Sequence, residues 1–145
     1  YIKKPYLIGD VDNNGTLEIF TQVYKDSEDK YYYYLLDKDG NVKSGWPKKG
    51  WAFPGSYVLS DLDGDSDLEL ISINGYSNTI NAYHHNGTTV NDFPMSIAWD
   101  SNANSFNGAP MVTGYISKSS QAAIFLSAGF SGLYGFDSKG NILSN

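Results

Sequence analysis

Side-chain oxygens recur at positions 1, 3, 5 and 9 of two nine-residue segments, here called the first acidic loop (residues 10–18) and the second acidic loop (residues 61–69). They belong to Asp10, Asp12, Asn14 and Glu18 in the first loop and to Asp61, Asp63, Asp65 and Glu69 in the second. Ca²⁺ takes six to eight oxygen ligands at about 2.3 to 2.6 Å, and this spacing within a tight turn can supply most of them. Mg²⁺ fits less well because it demands a strict octahedron and gives up its waters reluctantly. The pattern therefore predicts about two Ca²⁺ ions per chain.

The charge of each loop should make its order depend on the cation. Three or four carboxylates within one turn repel one another, so a cation-free loop would fray at neutral pH. Gly15 stands at position 6 of the first loop, where a sharp turn favours Gly, whereas the second loop has Ser66 there. Because the second loop carries more carboxylates, we expect it to be the tighter site. The predicted role of Ca²⁺ is structural and not catalytic.

Two other interpretations fit the same residues. Segments rich in Asp, Asn and Gly are common in turns whose side chains cap their own backbone, although recurrence in one register weighs against turn chemistry alone. An EF-hand is the other, but it needs a twelve-residue loop between two helices, and strands are predicted on both sides of these loops.

The acidic loops are part of a longer internal repeat. The second loop follows the first by 51 residues, and a Gly-containing hairpin turn comes later in each unit, at residues 36–41, 83–88 and 136–141. We therefore expect a single domain of three units, approximately residues 5–54, 55–105 and 106–145. The first unit has about four extra residues, expected in the polar stretch 25–30. In the third unit residues 110–116 are expected in place of the acidic loop, and no Ca²⁺ is assigned there.

Short apolar and aromatic runs between these markers predict strands at residues 17–24, 31–36, 68–73, 79–83, 122–127 and 132–136. No segment has helical periodicity. A four-stranded antiparallel unit of about 50 residues that repeats is typical of a β-propeller blade. The sequence thus predicts an all-β fold of about three propeller blades, as a segment of a larger propeller.

The chain resembles the FG-GAP/VCBS repeats of integrin-α-like β-propellers, whose blades carry a D-x-D-x-D-G-x-x-D calcium loop. The resemblance is strong over residues 5–94 and weaker over 110–145. It implies ligands from the side chains at positions 1, 3, 5 and 9 and the backbone carbonyl at position 7: Asp10, Asp12, Asn14, Thr16 and Glu18, then Asp61, Asp63, Asp65, Asp67 and Glu69. The chain departs from the motif by Asn at position 5 of the first loop, Ser at position 6 of the second, and Glu at position 9 of both. Family propellers close with about seven blades, so further blades or partner subunits are implied.

Composition excludes several classes of protein. Ten basic against 16 acidic residues give a net charge of −6, which argues against a nucleic-acid partner. The chain has no Cys, so disulfides, thiolate metal sites and cysteine catalysis are excluded. No stretch approaches the run of about 20 apolar residues that a membrane helix needs, so no membrane insertion is predicted. Because it lacks an initiator Met and a signal-peptide core, the chain is expected to be a processed product or a piece of a longer protein.

Other chemically distinctive residues are expected to be structural. His84 and His85 lie at a hairpin shoulder and should point to opposite faces, so they are predicted as turn residues and not as ligands of one metal. Aromatic residues close to prolines could stack on sugars, but packing between blades is the favoured role; they are Trp46, Trp51, Phe53 and Trp99.

These patterns predict an extracellular or cell-surface, calcium-stabilised propeller segment that binds a protein or carbohydrate ligand. Millimolar extracellular Ca²⁺ would saturate even a weak site, whereas cytosolic levels would not. No enzymatic activity is expected, because the carboxylates are committed to the cation and no Ser-His-Asp arrangement is recognisable. Two alternatives stay open: an accessory or catalytic propeller of a secreted polysaccharide-degrading enzyme or peptidase, and a structural subunit of an extracellular assembly.

Overall fold

The computed structural model describes residues 7–50, 57–74, 77–97, 110–116, 122–127 and 132–143. These residues form eleven strands in three antiparallel sheets and contain no helix, which confirms the predicted all-β class. Accordingly, the described part of the chain contains no helix able to span a membrane.

Each sheet is built from strands that follow one another along the chain. The first sheet contains β1 (Leu7–Gly9), β2 (Glu18–Lys25), β3 (Lys30–Leu36) and β4 (Lys48–Lys49). The second contains β5 (Tyr57–Ser60), β6 (Glu69–Asn74), β7 (Thr79–Tyr83) and β8 (Met95–Ser96). The third contains β9 (Met111–Tyr115), β10 (Ala122–Ser127) and β11 (Leu133–Phe136). All three sheets thus have a simple up-and-down order of neighbouring strands.

An acidic loop joins the first strand to the second in both four-stranded sheets. In the third sheet, residues 110–116 do not take the place of this loop, as the sequence pattern suggested, because Met111–Tyr115 forms the first strand and pairs with β10. Gly114 is a strand residue and not a loop residue, because it pairs with Ala123. It resembles Gly9 of the first strand, which pairs with Glu18 in the first sheet. The connection that corresponds to an acidic loop therefore comes after Tyr115, and residues 117–121 lie outside the described part of the chain.

The four extra residues of the first unit lengthen two strands instead of enlarging a loop. Lys25 and Lys30 face each other at the end of the β2–β3 ladder, and Tyr24 faces Tyr31. Their rings pack at a centroid distance of 4.7 Å, and the Tyr24 hydroxyl donates to Asp29 in the turn at 2.6 Å. Aromatic cross-strand pairs favour strand continuation, so the insertion adds two pairs to the hairpin.

The core lies between the faces of successive sheets. Leu7, Phe20 and Leu35 are directly opposite one another in adjacent strands of the first sheet and pack against the second sheet through Tyr57 and Leu70. The other face of the second sheet packs on the third through a further set of buried residues that includes Ile71, Ile73, Ile80, Met111, Ile124 and Leu126. One sheet-on-sheet arrangement is thus used twice in succession.

One backbone hydrogen bond and one side-chain hydrogen bond also join the first two units. The amide of Leu68 in the second acidic loop donates to the carbonyl of Val11 in the first loop at 3.0 Å. Trp46, which follows the first hairpin turn, donates its indole N–H to the carbonyl of His85 at 2.8 Å. The two acidic loops are therefore held side by side by their main chains.

Candidate metal centres

The aspartate at position 1 of each loop holds the turn of its own loop. The two carboxylate oxygens of Asp10 accept hydrogen bonds from the amides of Asn14 and Gly15 at 2.9 and 2.8 Å. Asp61 accepts from the amides of Gly64 and Ser66, at 2.7 and 3.2 Å. The donors stand at positions 5 and 6 of the first loop and at positions 4 and 6 of the second, so in both loops position 1 lies at the base of a curled backbone.

The glutamate at position 9 is the first residue of the second strand and points into the protein. Glu18 and Glu69 are 2% and 0% exposed, respectively. One oxygen of each carboxylate accepts the backbone N–H of position 2: Val11 donates to Glu18 at 3.0 Å, and Leu62 donates to Glu69 at 2.8 Å. Since a buried carboxylate is stable only when it is paired, the second oxygen needs a partner as well.

In the first loop that partner is a lysine. Carboxylate oxygens of Asp10, Asp12 and Glu18 all lie within 4.8 Å of one another. The Lys43 ammonium lies 2.5 Å from Asp12 Oδ2 and 3.3 Å from Glu18 Oε1. Burial opposes ionisation of Asp12, but the hydrogen bond and charge of Lys43 lower its pKa below the usual value. The Asp12 and Glu18 carboxylates raise the pKa of Lys43 in spite of its burial. The first cluster therefore already holds a positive charge.

In the second loop the partner is a histidine. One ligand atom from each of Asp63, Asp65, Glu69 and His84 lies within 4.8 Å of the others. His84 Nδ1 is 3.2 Å from Glu69 Oε1. Burial, which outweighs the hydrogen bond from Leu62, raises the pKa of Glu69 to about 7. The second cluster thus combines two exposed carboxylates with one that is fully buried and easily protonated.

The remaining predicted ligands engage neighbours within their own loops. Asn14 Oδ1 accepts from both the amide and the hydroxyl of Thr16, at 2.8 and 2.6 Å. Asp65 Oδ1 accepts from the amide of Asp67 at 2.9 Å. Asp67 Oδ2 also lies 2.8 Å from His85 Nδ1, close enough for an ion pair. Positions 5 and 7 therefore stiffen the loop in addition to any direct role at a cation.

Lys43 was not predicted from the sequence as part of a site. The Lys43 amide donates to the Leu35 carbonyl at 2.9 Å. In the second unit the equivalent bond is donated by Val90 to Ala82 at 3.1 Å, so Val90 corresponds to Lys43. A charged residue where the other units have an apolar one was the available signal. His84 was predicted as a turn residue, and its main chain does form the turn, because its amide donates to Thr88 and its carbonyl accepts from Gly87. Its side chain, however, reaches the second cluster.

Both clusters could hold a metal ion by the chemistry of their donors. Oxygen donors predominate in each, as a hard cation requires. In the first cluster Asp12 Oδ1 is buried and has no hydrogen-bond partner among the described residues, which leaves an acceptor available. Against this, the Lys43 ammonium contacts two of the three carboxylates there. The second cluster therefore fits a resident cation better than the first.

Trp46 packs between the first two sheets and does not form a sugar-binding surface. It is 9% exposed, and its ring meets Phe20 and Tyr83 edge-on at centroid distances of 6.4 and 6.1 Å. The other aromatic residues considered with it, Trp51, Phe53 and Trp99, lie outside the described residues.

Comparison with known proteins gives a similarity in structure but no match to a family model or a curated protein. No protein-family model matches the chain, and no curated protein matches it. Among solved structures, it is similar to the biofilm matrix protein Bap1 of V. cholerae, with a TM-score of 0.41 and 18% sequence identity. The alignment covers 94% of this chain but 27% of the Bap1 chain, so the chain spans about a quarter of that protein. A similarity of this size does not indicate a function.

Proposed function

We propose that this chain is a calcium-stabilised β-repeat segment in which Ca²⁺ orders an acidic loop between the first two strands of a sheet. The observation that carries the proposal is the second cluster, where the carboxylates of Asp63, Asp65 and Glu69 converge within 4.8 Å. Carboxylates this close repel one another unless a cation or protons neutralise them. The chemistry that Ca²⁺ would supply is charge neutralisation and fixed loop geometry.

We further propose that the sheets are blades of a β-propeller of the FG-GAP/VCBS type. Two features support this. The first strands of successive sheets contact one another, β1 with β5 and β5 with β9, as the innermost strands of neighbouring blades do. Successive sheets also pack face to face through the two core clusters, in chain order.

The outer faces of the stack support a propeller with additional blades. Leu59 and Leu68 of the second unit pack against the core that the second sheet shares with the first. Their equivalents in the first unit, Ile8 and Leu17, are 62% and 57% exposed. At the other end Leu133 is 71% exposed. Apolar positions that are covered inside the stack and bare at its ends indicate that further blades, or partner subunits, cover them.

The proposed role is that of a binding platform outside the cell, for a protein or a polysaccharide, and not of an enzyme. Support for the location comes from the exposed carboxylates of Asp63 and Asp65, which suit a weak site that millimolar Ca²⁺ would fill. Support for a non-catalytic role comes from the buried Glu18 and Glu69, which are held by backbone amides. Carboxyl groups that are buried in this way maintain a loop and are out of contact with a substrate in the solvent.

Thermal unfolding in EDTA and in 2 mM Ca²⁺ tests the calcium proposal. We expect Ca²⁺ to raise the melting temperature of the wild-type chain, because a ligand that binds only the folded state stabilises it. Asp65→Asn should lose most of that increase, whereas Asp39→Asn should retain it, since Asp39 is an exposed hairpin residue paired with Lys38. An equal increase in both variants would contradict the proposal. Zn²⁺ in the same assay tests whether His84 makes the site selective for a metal that accepts imidazole.

Binding to an array of purified polysaccharides, in Ca²⁺ and in EDTA, tests the platform role for that class of ligand. We expect retention of at least one polysaccharide in Ca²⁺ and its release in EDTA. Absence of binding across the array in Ca²⁺ would contradict a carbohydrate platform and leave the protein-ligand form of the proposal, to be tested against extracellular proteins.

A further inference from the structure

We infer that the Lys43 ammonium takes the place of a metal ion in the first acidic loop, so that Ca²⁺ occupies only the second. The part of this inference that concerns the second loop rests on the proposed function. The part that concerns Lys43 stands on the geometry of the first loop alone.

The Lys43 ammonium lies where a metal ion in the first acidic loop would bind. Lys43 Nζ bridges Asp12 and Glu18 at 2.5 and 3.3 Å, and these are two of the three residues whose oxygens converge in the first cluster. A Ca²⁺ ion 2.3 to 2.6 Å from the same oxygens would occupy nearly the same point in space. The two cations would repel each other strongly at that separation, so only one of them can be accommodated.

The ion pairs of Lys43 are partly buried, which makes the ammonium difficult to displace. The side chains of Lys43 and Asp12 are each 18% exposed, and that of Glu18 is 2% exposed. A partly buried pair of charges is costly to break, because each partner would be left without compensation. Ca²⁺ would therefore have to displace a charge that is already paired and partly removed from water.

The two acidic loops differ in the number of their carboxylates and in the presence of a lysine. The first loop contains three carboxylates, from Asp10, Asp12 and Glu18, because Asn14 stands at position 5, and one lysine partly neutralises them. The second loop contains five carboxylates, from Asp61, Asp63, Asp65, Asp67 and Glu69. Val90 stands at the place in the second unit that corresponds to Lys43, so no ammonium comes from that position. The repeat thus has one loop with an internal cation and one loop with an excess of negative charge.

Counting bound Ca²⁺ by equilibrium dialysis and elemental analysis tests the inference. We expect Lys43→Met to bind one more Ca²⁺ per chain than the wild-type protein, and the additional ion to be lost when Asp12→Asn is combined with it. Lys43→Arg should bind the same number as the wild type because it retains the charge. Lys38→Met is the matched control: it removes a lysine from the same hairpin, but Lys38 is 64% exposed and pairs with Asp39. This control should leave the count unchanged.

An unchanged count in Lys43→Met that remains folded by circular dichroism would overturn the inference. If Lys43→Met does not fold, Asp12→Asn in the otherwise wild-type chain decides: the inference expects no change in the count, and loss of one ion would overturn it. Failure of the proposed function has a different signature. A wild-type chain that binds no Ca²⁺ would refute the calcium site in the second loop, while the comparison with Lys43→Met would still test the role of the lysine.

Discussion

Glu18 and Glu69 have equivalent positions in the repeat and different basic partners. In both, one oxygen accepts the amide of position 2, and the other faces a basic side chain, which is Lys43 for Glu18 and His84 for Glu69. The lysine comes from the segment after the hairpin turn and the histidine from the turn itself. A partner for the second oxygen of a buried carboxyl group therefore comes from two different places in the unit.

The raised pKa of Glu69 predicts how the stability of the metal-free protein depends on pH. Its folded-state pKa of about 7 lies above the unfolded value of 4.5, so the folded state binds the proton more tightly. The stability that this proton contributes is fully present below pH 4.5 and is lost as the pH rises through 7. The expected loss is on the order of 1 to 3 kcal/mol.

Urea unfolding in EDTA at pH 5 and pH 7.5 measures this effect. Glu69→Gln should remove most of the difference between the two pH values, because the amide does not titrate in this range. A wild-type profile that coincides with that of Glu69→Gln would show that burial of Glu69 is not the source of the pH dependence.

Sequence patterning located the acidic residues but not the basic side chains that they face. Asp12 and Lys43 are 31 residues apart in the chain, and Glu69 and His84 are 15 apart. Spacing within a loop is a local signal, whereas these pairs depend on how a later hairpin folds back over the loop. The role of Lys43 could not be predicted from the repeat either, because the other units have an apolar residue at its position.

At the scale of the element, the three hairpin turns share one backbone geometry despite different sequences. The amide of Asp37 donates to Asn41 and its carbonyl accepts from Gly40, and Asp137 makes the same pair of bonds with Asn141 and Gly140. His84 makes them in the second unit. Because Gly with positive φ is required at one place in this turn, the turns and their flanking strands were predictable. The strands at residues 79–83 and 122–127 match their predicted bounds.

A close approach between two units makes Gly45 a sharper requirement than Gly40. Both have positive φ, of 84° and 83°, so Ala is strained at either position. A Cβ on Gly45 would lie 1.9 Å from the carbonyl oxygen of Asn86, while a Cβ on Gly40 would meet nothing within 4 Å. We expect Gly40→Ala to cost about 1 kcal/mol of unfolding free energy, and Gly45→Ala about 2 kcal/mol more.

Urea denaturation of the two variants checks this difference. Since both replace Gly by Ala at nearly the same φ, the backbone strain cancels in the comparison. Equal losses of stability would show that the second unit is not packed against the Gly45 carbonyl and Cα in solution.

At the scale of the whole molecule, stability should depend on packing between sheets more than on any single sheet. Phe20 is fully buried between the first two sheets, where its ring lies 4.9 Å from that of Tyr57 and 5.6 Å from that of Tyr33. We expect Phe20→Ala to lower the free energy of unfolding by about 3 to 5 kcal/mol because it leaves a cavity between two sheets.

Phe125→Ala is the matched comparison for Phe20→Ala in denaturant unfolding. Phe125 is partly buried and lies opposite Val112, which is 60% exposed, on the outer face of the third sheet. Phe125→Ala should lower the free energy of unfolding of the isolated chain by well under half as much as Phe20→Ala does. A cost as large as that of Phe20→Ala would show that the outer face is covered in solution, for example by self-association.

The repeat predicted about three successive units, and the described residues form three sheets, but it did not predict what covers the ends of the stack. Each sheet has apolar residues on both of its faces, as is typical of sheets that are buried on both sides. Pairing between particular faces depends on contacts among residues of different units, such as Gly9 against Leu59 and Leu68, whose Cδ1 atoms lie 3.3 Å from a Cβ placed on Gly9. Such contacts become visible only in three dimensions.

Anomalous diffraction from a crystal grown in Ca²⁺ tests most directly the central claim that the second acidic loop is a calcium site. We expect an anomalous peak about 2.3 to 2.6 Å from carboxylate oxygens of Asp63, Asp65 and Glu69. The wavelength dependence of the peak would separate Ca²⁺ from Zn²⁺. An ordered second loop without a peak in millimolar Ca²⁺, its carboxylates satisfied by amides and histidines alone, would contradict the claim.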